Sequence, residues 1–100
     1  MKKRFTLVAR VSTSRPEAIA PILRQLVTKG SVKKERDEFL IHAKMEGDNV
    51  KELNRTFLST LRRVEKRTRL RAEWTSPDGT TQRFFDYVLK KTIAGKHSDT

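Results

Sequence analysis

The chain has 100 residues and a mass of 11.6 kDa, enough for one domain with a single modest core and too little for a second. Hydrophobic and charged residues each make up 35%, and cysteine is absent, which excludes disulfides, thiolate chemistry and cysteine-held metals. With 23 Lys or Arg against 12 Asp or Glu, a net charge of +11 makes the folded chain repel itself unless counterions or a partner neutralise it, so nucleic acid, an anionic membrane or an acidic protein is expected to meet it.

The N-terminus, MKKRFTLVARVSTSRP, begins like a signal peptide, but Arg10 breaks its apolar stretch after five residues. Phe5, Leu7, Ala9 and Val11 alternate with Thr6, Val8 and Arg10, which predicts a strand with one buried face. Thr13 or Ser14 can cap a following helix with Pro16 in its first turn, and Ile19, Ile22, Leu23, Leu26 and Val27 recur at helical spacing until Gly30. Pro21 lacks an amide hydrogen, so the regular helix is expected to start later than Pro16. A hairpin is read next: a polar edge strand from Ser31 carrying Lys33 and Lys34, a turn at Arg36 and Asp37, then a strand with Phe39, Ile41, Ala43 and Met45 inward. Asp48 or Asn49 caps a long helix, Glu52 completes a capping box, and Val50, Leu53, Phe57, Leu61 and Val64 form its apolar stripe.

Alternation returns in Leu70, Ala72 and Trp74, a fourth strand. SPDG at 76–79 reads as a turn that folds a hairpin, with Thr75 facing Thr81 and Glu73 beside Arg83. The alternative is a last helix capped by Ser76, with Thr81, Phe84, Phe85, Val88 and Leu89 on one face. Residues 1–93 are read as one domain and AGKHSDT, 94–100, as a frayed tail. The order strand, helix, strand, strand, helix, strand is that of an α+β, ferredoxin-like split βαβ sandwich: two helices on one face of an antiparallel sheet, with a C-terminal hairpin strand as an addition.

RRVEKRTRLR, residues 62–71, places six cations against one carboxylate, Glu65. It supplies Arg62, Arg63, Lys66, Arg67, Arg69 and Arg71 as candidate RNA contacts, with Arg10 and Lys44 from other strands. On the helix, Lys51, Arg55, Arg62 and Lys66 line up opposite the apolar stripe as a solvated outer face. Arg69 and Arg71 instead point away from the core onto the open face of the sheet, joined by Arg10, His42 and Lys44 and by the apolar Val8 and Leu40. Such a face fits RNA or another protein, and stacking aromatics are not evident on it. His42 and His97 have no ligand at metal spacing, the four glycines are isolated, and no nucleophile has a recognisable base, so no catalytic residue, metal or cofactor is expected.

The segment EFLIHAKMEGDNVKELNRTFLSTLRRVEK resembles the small dimerisation subunit family of the archaeal and eukaryotic KEOPS tRNA threonylcarbamoylation complex, its helix motif falling on Leu53, Asn54, Phe57, Leu61 and Arg62. FTLVARVSTSRPEAIAPILRQL is similar in layout to that family's first strand, turn and helix, so the likeness spans roughly residues 5–67. The chain departs from the pattern in running some thirty residues past the second helix and in its positive charge. The resemblance implies a non-catalytic subunit that forms a homo- or heterodimer and docks against the kinase-like-fold threonylcarbamoyl transferase subunit, supporting modification of tRNA, and the absence of cysteine suits a reducing cytoplasm. Leu53, Asn54, Phe57, Leu58 and Leu61 are then the expected protein interface. The alternative is a free-standing basic RNA-binding domain acting in tRNA or rRNA metabolism. No run is long enough to span a membrane.

Overall fold

The alternation of Phe5, Leu7, Ala9 and Val11 builds the strand on which the rest is assembled, and all four side chains are buried. The computed structural model describes residues 2–93; the tail expected at 94–100, with His97, lies outside them. The elements are β1 (Lys3–Ser12), α1 (Pro16–Leu26), β2 (Gly30–Glu35), β3 (Glu38–Gly47), α2 (Val50–Val64), β4 (Arg69–Thr75), β5 (Thr81–Phe85) and β6 (Val88–Ile93). This is a small α+β fold, with one antiparallel sheet ordered β2-β3-β1-β4-β5-β6 and the two helices against one of its faces. The core lies between, where Ile19 and Leu23 of α1 and Phe57, Leu58 and Leu61 of α2 meet Leu7, Ile41, Leu70 and Trp74. Among the described residues no helix is long and apolar enough to cross a membrane.

Both helix starts differ in detail from the sequence expectation. In α1 neither Thr13 nor Ser14 caps; the N-cap is Arg15, which makes no side-chain cap bond, and its carbonyl accepts from the amides of Ala18 and Ile19 at 3.0 and 3.1 Å. Pro16 already stands in the first turn, where the missing amide costs nothing, and Pro21 lies inside the helix on its exposed side. Burial of Ile19 and Leu23 holds the helix through the one hydrogen bond that Pro21 cannot donate. In α2, Asn49 caps as expected, its side chain accepting from the amide of Glu52 at 2.8 Å, while the carboxylate of Glu52 turns forward to Arg55 at 3.8 Å.

The apolar stripe of α2 is rotated from the expected one: Asn54 and Leu58 are inside, Leu53 is half-buried and Val64 is exposed. The rotation follows from Asn54, which has a specific partner in the core.

The hairpin after β4 forms and the alternative helix does not. Thr75 faces Thr81 with their hydroxyls 2.9 Å apart, Glu73 pairs with Arg83 at 2.9 Å, and Gly79 takes the left-handed backbone (φ 89°) that the turn demands. A sixth strand, absent from the sequence reading, continues from a two-residue turn at Asp86 and Tyr87. Gly30 marks a close approach: a Cβ there would stand 2.0 Å from the carbonyl oxygen of His42.

Candidate functional site

Cross-strand register decides which side chains share the sheet's uncovered face. Arg10 lies opposite Arg71 and next to Leu40, and the same row continues to Lys33 on one side and Phe85 on the other. A neighbouring row runs Ser31, His42, Val8, Glu73, Arg83, Lys91, and Lys44 stands beside Thr6. Two like-charged guanidinium groups opposite each other repel, so the Arg10 and Arg71 pair needs compensation. Arg10 obtains it from Glu38, its Nη1 lying 3.1 Å from the carboxylate. The hydroxyl of Ser12 also donates to Glu38 at 3.0 Å; this bond first, and then the Arg10 bond, hold the Glu38 carboxyl below its usual value of 4.5.

Arg71 and Arg69 lean on an aromatic ring instead of a carboxylate. Their guanidinium carbons lie 5.3 and 5.6 Å from the centroid of Phe85, within cation–π range. The carboxylates near them are already engaged, Glu38 with Arg10 and Glu73 with Arg83, and among the described residues neither Arg69 nor Arg71 forms an ion pair. Lys33 and Lys44 are exposed on the same face, also without an ion pair among the described residues. Four cations therefore surround a sheet whose own acids do not neutralise them.

The structure sorts the other expected RNA contacts into separate places. Arg67, in the turn before β4, is exposed and shares a surface groove with Arg69, Ser12 and Asp37 at one end of the open face. Its amide donates to Glu65 at 3.0 Å, the main cause that holds the Glu65 carboxyl low. Arg63 and Lys66 are exposed at the end of α2 and in the turn that follows. Arg62 is neither free nor on a solvated face. Its Nε donates to the carbonyl of Thr68 at 2.9 Å, its Nη2 lies 3.4 Å from Asp86, and its guanidinium carbon sits 5.2 Å from the Tyr87 ring centroid. It ties α2 to β4 and to the β5–β6 turn, so it is not the cation on a solvated outer face that helical spacing suggested.

Most of the residues expected at a protein interface lie inside the fold. Asn54, Phe57, Leu58 and Leu61 are buried in this chain's own core and are not presented to a partner, and Leu53 is half-buried against Gly47. Of the exposed large apolar side chains, Tyr87, Val88, Leu89 and Ile93 lie along and beside β6, next to the turn that Asn54 reaches, while Val8 is on the open face and Val64 at the end of α2.

Phe85 is the residue that sequence reading missed on the open face. Its signal was present: once Thr75 faces Thr81 and Glu73 faces Arg83, the next pair in the ladder puts Phe85 opposite Arg71. Comparison with protein-family models, with curated proteins and with solved structures finds no match for this chain.

Proposed function

We propose that this chain binds RNA through the open face of its sheet and acts as a non-catalytic accessory protein in tRNA or other RNA metabolism in the cytoplasm. The single observation that supports it is the group Arg69, Arg71, Lys33 and Lys44 on the open face, unpaired by any acid among the described residues, in a chain of net charge +11. Phosphates supply the missing charge, and release of their counterions drives association. The strand order β2-β3-β1-β4 supports reading the frame as a ferredoxin-like split βαβ sandwich extended by β5 and β6.

The test is fluorescence anisotropy with labelled tRNA and a labelled RNA oligomer across a salt series. Binding weakens as salt rises, and Arg69→Gln with Arg71→Gln lowers the slope of log affinity against log salt by about 1.4 to 1.8, from roughly 0.7 to 0.9 per lost phosphate contact. A wild-type chain without salt-dependent binding overturns the reading.

A second reading, a dimerising subunit of a KEOPS-like assembly that docks on a kinase-like-fold threonylcarbamoyl transferase subunit, is favoured by the outer strand β6. Val88 and Leu89 there are 55% and 43% exposed, and β6 has a partner strand on one side only. Light scattering tests it: a dimer that Leu89→Glu disperses supports it, and a monomer that captures no transferase subunit sinks it.

A further inference from the structure

Between β1, β4 and β5 the open face sinks into a depression of about 370 Å³. Val8 and Phe85 give it apolar lining, Val8 being 41% exposed although it sits mid-strand among charged neighbours. Arg10, Arg71, Arg83 and Lys90 line it; Arg10 is paired with Glu38 at 3.1 Å and Arg83 with Glu73 at 2.9 Å, so Arg71 and Lys90 are its cations without an ion pair among the described residues. Apolar contacts inside a cationic ring are a poor fit to a duplex. An A-form helix presents ribose and phosphate and keeps its bases stacked inside, so it would engage the arginines and leave Val8 and Phe85 without a partner. An unpaired nucleotide offers both halves: a flat base for the apolar surface and a phosphate on each side for the cations. The Arg71 guanidinium lies over the Phe85 ring, 5.3 Å from its centroid, and the pair offers a base a cationic plane backed by an aromatic one.

The geometry points to a single-strand subsite: the depression seats one unpaired RNA base against Val8 and Phe85, with the flanking phosphates on Arg69, Arg71 and Lys90. This rests on the open face being the RNA-binding surface, and it adds that the RNA bound there is single-stranded.

The experiment uses the full chain with a labelled single-stranded oligomer and a blunt duplex of the same sequence, at one salt concentration and then across a series. The single strand binds at least about fivefold tighter than the duplex, the lower end of what one stacked base contributes. Phe85→Leu, which keeps an apolar side chain but removes the ring, lowers single-strand affinity more than duplex affinity and so cancels most of that preference. A 2-aminopurine reporter in the single strand changes fluorescence on binding wild type and not on binding Phe85→Leu. Equal or tighter duplex binding overturns the subsite while the RNA-binding reading stands, and so does a folded Phe85→Leu that keeps the preference. Absence of salt-dependent binding to either RNA sinks both. Should Phe85→Leu fail to fold, the single-strand against duplex comparison on wild type decides alone.

Discussion

The side-chain amide of Asn54 donates to the main-chain carbonyl of Asp86 at 2.7 Å, joining the middle of α2 to the turn between β5 and β6. The other end of the same amide accepts from Nε1 of the fully buried Trp74 at 3.1 Å, and Asp86 in turn accepts the amide of Leu70 at 2.9 Å. A polar side chain inside a core is tolerated when each of its bonding groups is satisfied, and here the bonds fix three elements at once. Asn54→Leu removes both bonds and leaves the Trp74 N–H and the Asp86 carbonyl without a partner. A loss of about 2 to 6 kcal/mol is expected, from roughly 1 to 3 for each of the two stranded groups. Urea unfolding measures it; a variant as stable as wild type shows that water replaces the amide.

Gly30 carries a second prediction. Its φ of 146° and the 2.0 Å approach of a built Cβ to the His42 carbonyl leave no room for a side chain at the start of β2. The obstacle is backbone, which cannot swing aside as a side-chain tip can. Gly30→Ala is expected to destabilise by about 1 to 3 kcal/mol, the cost of a residue held in a sparsely populated backbone region. Amide exchange should locate the loss in β2 and its partner strand β3, and uniform exchange across the sheet would contradict that.

The period-2 pattern of Phe5 to Val11 and of Leu70 to Trp74 was legible because burial on one face forces alternation, and the open-face positions of Arg10, Arg69, Arg71 and Lys44 followed from it. The hairpin at 76–79 was legible from Gly79 and from the Glu73 and Arg83 match. What stayed hidden depends on long-range pairing. Nothing near Asn54 in the chain indicates that Trp74 and Asp86 will converge on it, so helical periodicity alone aimed the α2 stripe at Val64 instead of Leu58. Arg62 looked like one more solvated cation for the same reason: Thr68, Asp86 and Tyr87 reach it only after β4, β5 and β6 have formed. The strand β6 has no buried face, and therefore no alternation to detect.

Acid sensitivity follows from the turn between β4 and β5. The side-chain hydroxyl of Ser76 and then the amide of Thr80 donate to the Asp78 carboxylate, holding its pKa down from 3.8 to about 2. A group whose folded value is depressed stabilises the fold above its unfolded value, and that contribution is lost as pH falls through the folded one. Asp78→Ala is therefore less stable than wild type at neutral pH, and the gap narrows from about pH 4 downwards. Glu38, lowered in the same direction by Ser12 and Arg10, adds loss over the acid range, and Glu38→Gln flattens it. Denaturation midpoints at several pH values check both; a gap for Asp78→Ala that persists unchanged at pH near 2 contradicts the assignment.

The last prediction separates structure from binding within RRVEKRTRLR. Arg62 is enclosed by Thr68, Asp86 and Tyr87, whereas Arg69 and Arg71 stand exposed around Phe85 without a carboxylate partner among the described residues. Arg62→Gln keeps some hydrogen bonding but loses the charge facing Asp86 and the cation over the ring, so a stability loss of about 1.5 to 3 kcal/mol is expected, the range for a hydrogen bond to a charged group. RNA affinity and its salt slope at a temperature where the variant is folded should stay at wild-type values, because no phosphate contact has been removed. Arg69→Gln with Arg71→Gln should do the reverse, lowering affinity and slope with little change in unfolding midpoint, since exposed cations contribute little to the fold. Replacing Arg55 and Arg63 on the helix layer should move neither quantity much. An Arg62→Gln variant that lowers the salt slope as far as the Arg69 and Arg71 pair does would show that RNA reaches the helix layer, and the open face would lose its special place.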